Sequence, residues 1–146
     1  MPEIPSDTTV RAWIELHRTH RRLIDKVAAE LKRNELPPLD WYDVLLELHR
    51  AGEQGLRQFE IGDRILLSKH NLSRLIDRLV RQKMVVREAC EEDGRGNRIR
   101  ITPRGERTLE QSWPVYGRAI QRELGDKLTR DECIEIARLL GKLLED

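Results

Sequence analysis

The sequence predicts a mainly α-helical chain carrying one small β-wing, and three observations predict it. Between Arg57 and Gly105 the hydropathy period changes from helical to alternating, with an Asp-Gly turn between two short alternating runs. Basic charge is concentrated in the same stretch. Apolar stripes at helical spacing continue at both ends of the chain, beyond what the middle module needs to bury itself.

The chain has 146 residues, with 27 Lys or Arg against 26 Asp or Glu and a formal net charge of +1. That length predicts a single domain over residues 1–146 with a sizeable core. Net charge alone does not mark a nucleic-acid binder, but Arg57–Arg107 holds 13 basic and 8 acidic residues. The remainder is therefore acidic overall, and the positive surface sits where a DNA-facing module requires it. Cys90 and Cys133 are too few for a disulfide scaffold. With no long apolar run and no signal-peptide pattern, a soluble cytoplasmic protein with no membrane partner is expected. His17 and His20 lack a third soft ligand nearby, so no metal is expected. There is no Gly-rich phosphate loop, paired-carboxylate pattern or cysteine-nucleophile signature, which argues against an enzyme.

Taken in order, the chain opens on an extended tail with Pro2 and Pro5. Ser6 or Asp7 caps a long first helix that runs to about Asn34. Val10, Trp13, Ile14, His17, Ile24, Val27, Ala28 and Leu31 follow its apolar side, broken by a charged middle from Arg18 to Arg22. Leu36-Pro37-Pro38 ends it. Asp40 caps a second helix with Trp41, Val44, Leu45 and Leu48 inward, and Gly52 and Gly55 break it.

Arg57 to Ile65 is expected to form a short helix packed through Phe59, Ile61 and Ile65, with Gly62 weighing against regularity. Ser68 caps the next helix, whose buried stripe is Leu72, Leu75, Ile76 and Leu79. Its other faces carry Lys69, His70, Asn71, Ser73, Arg74, Asp77, Arg78 and Arg81. Met84 to Cys90 and Arg98 to Ile101 alternate as strands, joined by the turn formers Glu91 to Asn97, and read as a two-stranded ribbon with Arg95 at its tip. Thr102-Pro103 starts a long helix with Leu109, Trp113, Tyr116, Ile120 and Leu124 on one stripe, which Pro114 should bend or interrupt. Thr129-Arg130-Asp131-Glu132 is a capping box opening a last packing helix through Ile136, Leu140 and Leu143 or Leu144.

Two helices followed by a basic ribbon read as a winged DNA reader. Lys69, His70, Asn71 and Arg74 are the candidates for base edges, with Asn71 suited to adenine and Arg74 to guanine. Ser68, Ser73, Arg78 and Arg81 are placed toward phosphates, with Arg98 a further basic candidate on the second strand. Arg95 is expected to reach an adjacent minor groove, held in its reaching pose by Asp93. Asp77 has helical spacing to orient Arg74 or Arg81.

The element order, the run Leu75-Ile76-Asp77-Arg78-Leu79 and the wing sequence Asp93 to Gly105 resemble the multiple antibiotic resistance regulator (MarR) family of winged helix-turn-helix transcription factors. The resemblance extends in element order over nearly the whole chain. It implies a DNA-binding portion over residues 57–101, with helices over 8–34 and 103–146 forming a dimerisation platform. It also implies a homodimer bound to double-stranded DNA at a pseudopalindromic operator, repression as the sign of regulation, and no cofactor. A small aromatic acid is the implied effector, with Trp13, His17, Trp41, Phe59, Arg64, Trp113 and Tyr116 as lining residues between platform and reading unit. Gly94 and Lys83 depart from the family pattern, the first standing where another basic residue is frequent and the second where glycine is common. No cysteine lies near the first helix, so the family's peroxide-sensing branch is not carried over. A winged-helix assembly module without sequence-specific DNA binding stays open as the alternative.

Overall fold

The stripe Leu72, Leu75, Ile76 and Leu79 is the inward face of a helix, and all four side chains are buried. Each such burial contributes about 1.5–3 kcal/mol, so the stripe anchors the module around it. The computed structural model describes residues 3–65, 67, 69–89 and 97–145. Ser68, Cys90, Asp93, Gly94 and Arg95 lie outside the described residues. The order of elements is α1 (Asp7–Arg33), α2 (Leu39–Ala51), a 3-10 turn (Gly52–Gln54), β1 (Leu56–Arg57), α3 (Gln58–Arg64), α4 (Lys69–Arg81), β2 (Val85–Ala89), β3 (Asn97–Ile101), α5 (Pro103–Ile120), a π-turn (Gln121–Gly125) and α6 (Arg130–Lys142). They fall into two compact units, Leu31–Val115 and Met1–Glu30 with Tyr116–Asp146.

In the unit Leu31–Val115, α2 begins two residues earlier than a cap at Asp40 would start it. The Pro38 carbonyl accepts from the Trp41 and Tyr42 amides at 3.1 and 3.3 Å, which makes Pro38 the N-cap. Asp40 serves the first turn instead, its Oδ1 accepting from the Trp41 amide at 3.1 Å. Tyr42, Val44, Leu45 and Leu48 are buried, whereas Trp41 is only half-buried. Helix α3 is regular through Gly62, where a Cβ would stand 3.3 Å from Leu72 Cδ2 of α4, so glycine there admits close packing of α3 on α4. Ile61 and Ile65 are buried as expected, but Phe59 is 66% exposed. Phe59 lies two residues from Ile61, about 200° around the helix, so it cannot share that inward face.

The wing is part of a three-stranded antiparallel sheet of order β1-β3-β2, not a free two-stranded ribbon. Leu56 pairs with Ile99 and Arg57 with Arg98, while Val85 pairs with Ile101, Arg87 with Ile99 and Ala89 with Asn97. One face of the sheet carries the buried Leu56, Val85 and Ile99. Two residues are too few for β1 to show an alternating pattern, which is why sequence reasoning missed it.

Helix α4 closes on a left-handed residue: Lys83 has φ 60°, the Met84 amide donates to the Leu79 carbonyl, and the Lys83 amide donates to the Val80 carbonyl, both at 3.0 Å. Helix α1 closes in the same way at Glu35 (φ 57°), before the prolines that follow. Thr102 caps α5, accepting from the Gly105 amide at 3.1 Å and donating to the Lys83 carbonyl at 2.7 Å. A Cβ on Gly105 would collide with the Met84 carbonyl oxygen and the Ile101 side chain. The buried face of α5 is Gly105, Thr108, Leu109, Ser112, Val115 and Ala119. The expected stripe is corrected accordingly, since Trp113 is 53% exposed, Ile120 is exposed and Tyr116 is half-buried. Small residues let the backbone approach its neighbours, and the bulky ones occupy the next face round. The helix is unbroken across Pro114, and the irregular turn comes later, where the Asp126 amide donates to the Gln121 carbonyl at 2.7 Å.

In the second unit, Ser6 is the cap of α1, its Oγ accepting from the Thr9 amide at 3.2 Å. The capping box of α6 is complete: Thr129 Oγ1 accepts from the Glu132 amide at 3.1 Å and Glu132 Oε1 from the Thr129 amide at 2.9 Å. Glu123 joins the π-turn to α1 through Lys26 at 3.1 Å, with Arg122 and Lys127 each at 3.2 Å on the same carboxylate. Helix α6 buries no side chain within the single chain, and Ile134, Ile136, Leu139, Leu140, Leu143 and Leu144 are all exposed. On α1 only Val27 and Leu31 of the expected apolar side are buried, while Val10, Trp13, Ile14 and Ile24 are exposed.

Candidate nucleic-acid interface

Helix α4 turns its polar arc to solvent because its apolar arc is held. At about 100° per residue, His70, Arg74, Asp77 and Arg81 lie opposite the buried stripe. Lys69 and Ser73 flank it on one side and Asn71 and Arg78 on the other. Ser73 is half-buried and the other seven are exposed. Lys69, Arg74, Arg78 and Arg81 make no side-chain hydrogen bond or ion pair among the described residues. Lys69, His70, Asn71 and Arg74 sit in the first two turns, where a helix entering a groove by its N-terminal end brings side chains nearest the bases.

The basic residues of the sheet are engaged within the chain. Arg98 Nη1 donates to the Gln54 carbonyl at 3.0 Å, and Arg100 is paired with Glu88 across the strands. Arg87 of β2 is paired with Asp77 of α4. Asp77 therefore meets a residue ten positions away in sequence, and not Arg74 or Arg81 as its helical spacing suggested. The sheet brings Arg87 to α4, a proximity that no local period can report.

The residues named for an effector are divided between the units. Trp41, Phe59, Arg64 and Trp113 belong to Leu31–Val115, while Trp13, His17 and Tyr116 belong to the other. Trp13 and His17 meet edge to face on the surface of α1, centroids 4.4 Å apart at 63°. Arg64 lies 3.6 Å from Glu47 of α2. Burial raises the Asp43 carboxyl above its ordinary value, and the neighbouring Asp40 and Glu47 charges add to that effect. Burial likewise raises the Tyr42 hydroxyl. Among the described residues no group of three His, Cys, Asp or Glu is placed to hold a metal, and no helix is long and apolar enough to cross a membrane. Cys133 is a half-buried free thiol.

The MarR family model matches residues 35–96, which span α2 to the wing. The HTH-type transcriptional regulator MhqR of Bacillus subtilis (strain 168) is 27% identical over 139 residues, 93% of each chain. Along nearly its whole length the chain is similar to MarR-family regulators. The fold agrees over its length. The MarR-family regulator AbsC from Streptomyces coelicolor is 25% identical, with a TM-score of 0.83 over 97% of this chain and 95% of that one. Sco3205, a MarR-family regulator from the same organism whose crystal structure is a complex with DNA, is 24% identical, with a TM-score of 0.86 over 100% of this chain and 93% of that one. The MarR-family transcriptional regulators that it resembles are non-catalytic.

Proposed function

We propose that this chain is a homodimeric, sequence-specific DNA-binding transcriptional repressor of the MarR family, released from its operator by a small aromatic or anionic ligand. The observation that carries the reading is the solvent-facing arc of α4, on which Lys69, Arg74, Arg78 and Arg81 have no partner among the described residues. In this reading α4 enters the major groove, with Lys69, His70, Asn71 and Arg74 toward base edges and Ser68, Ser73, Arg78 and Arg81 toward phosphates. Arg95 reaches the minor groove with Asp93 orienting it, and Arg98 supports the wing root. Sco3205, of like fold, has been crystallised with DNA, which supports the same use here.

The apolar residues that α1 and α6 leave exposed in the single chain support the dimer. Two linked copies convert the second binding event into an intramolecular one. Residues 8–34 and 103–146 supply the dimerisation helices in this reading. The effector in this reading is an aromatic acid, whose differential affinity for two dimer geometries would shift operator binding.

Selection from a random duplex pool tests the whole reading. A pseudopalindrome with half-sites about 34–36 Å apart is the expected product; a pool that returns no symmetric sequence overturns it in favour of an assembly module. Arg95→Ala should weaken binding to the selected duplex and make the salt slope shallower. Aromatic carboxylic acids titrated against the protein–DNA complex test the effector, and an acid that binds without changing DNA affinity is rejected.

A further inference from the structure

We propose that Asp77 and Arg87 form a positioning pair that sets the specificity of the reading head by fixing α4 against the wing; the proposal rests on the DNA-binding reading above. Asp77 stands in the middle of the solvent-facing arc of α4, among His70, Arg74 and Arg81. A carboxylate at the centre of a surface meant for phosphates repels the ligand unless something neutralises it. The group that does so is Arg87 of β2, not the arginines on its own helix.

The sheet geometry makes Arg87 the residue suited to this. Arg87 is two residues from the buried Val85 and is paired with the buried Ile99, so it shares the sheet face on which those side chains pack. Arg57, Arg98 and Arg100 belong to the opposite face, and Arg98 and Arg100 are occupied there by the Gln54 carbonyl and Glu88. Among the described residues of the sheet, Arg87 is the cation on that face.

The pair supplies a second point of attachment. The first is the turn after α4, where the Met84 amide donates to the Leu79 carbonyl and Thr102 donates to the Lys83 carbonyl. One attachment locates the end of a helix and leaves its angle to packing alone. Asp77 lies six residues before Lys83, about 9 Å along the axis at about 1.5 Å per residue. A polar contact there fixes the angle between helix and wing. Base readout depends on that angle because the hydrogen bonds to base edges are short and directional, whereas contacts to phosphate tolerate a shift.

Each half of the pair has its own consequence when removed. Without the Asp77 carboxylate, Arg87 is released to a phosphate and α4 loses its angle. Without the Arg87 guanidinium, Asp77 faces the duplex unneutralised.

The test compares wild type, Asp77→Asn, Arg87→Gln and the double variant. It reads the ratio of Kd on random duplex to Kd on the sequence that wild type selects, over a salt series. Each single variant should lower the ratio about tenfold, and the double should lower it no further than the worse single, as two halves of one interaction require. Asp77→Asn should also bind random duplex more tightly, with a salt slope steeper by about 0.9 for one added phosphate contact. An unchanged ratio in Asp77→Asn overturns the proposal, and a fall in Tm with that ratio unchanged means the pair only stabilises the fold. Losses that multiply in the double variant overturn it as well. A wild-type ratio of one rejects the DNA-binding reading itself and the proposal with it.

Discussion

Lys83 and Glu123 show how much single residues decide here. Lys83 holds φ 60°, a conformation that costs an L-residue about 1–2 kcal/mol, while glycine adopts it freely. Glycine gives back part of that gain as extra freedom of the unfolded chain. Lys83→Gly should therefore stabilise the protein by about 0.5–1 kcal/mol, seen as a raised urea midpoint at unchanged slope. Glu123 is held by Lys26 first, then by Arg122 and Lys127, and its carboxyl falls from 4.5 to about 2. Because the folded value lies below the unfolded one, protons bind the unfolded state more readily. The contribution is complete above about pH 4.5 and is lost as pH falls toward 2. Urea midpoints measured across that window should decline for wild type and decline less for Glu123→Gln. Neither effect is written in hydropathy: the lysine turn shows only as a departure from a family pattern, and Glu123 meets Lys26 from 97 residues away.

At the scale of elements, α4 and α5 give opposite results from the same kind of sequence. The stripe of α4 was legible because its buried residues are all large and aliphatic, so their period stands out against a polar background. On α5 the large residues Trp113 and Ile120 are exposed, and the buried face is built from Gly105, Thr108, Ser112 and Ala119 among others. A pattern read from bulk selects the wrong face when close backbone approach needs small side chains. Gly105→Ala should accordingly destabilise by about 1–3 kcal/mol, since the added methyl meets the Met84 carbonyl and Ile101; thermal unfolding measures it. On α4 the face itself divides by role. Arg74→Ala, centred on the arc near its N-terminal end, should cost about 1–3 kcal/mol on the selected duplex and relax preference at one base pair. Arg78→Ala, at the flank, should weaken selected and random duplexes alike and reduce the salt slope by about 1. Binding titrations on both duplexes separate the two outcomes.

For the molecule as a whole, the unit of α1, α6 and the end of α5 leaves many large apolar side chains uncovered in one chain. Leu140→Lys, at a position already exposed, should leave the single chain folded while breaking the proposed dimer. Sedimentation should then show a monomer, and affinity for the symmetric duplex should fall by about 100-fold or more as the linkage is lost. A dimer that survives the substitution removes Leu140 from the contact.

By itself the sequence determined the order of the helices and of the two longer strands, the caps at Thr102 and Thr129, and the buried stripe of α4. Period, capping and turn chemistry act over a few residues and leave their mark in consecutive positions. Only the tertiary structure decided that Leu56 and Arg57 join the sheet, that Asp77 meets Arg87, and that α5 turns its small residues inward. Those outcomes depend on which distant segments come to lie side by side, and no local pattern carries that information.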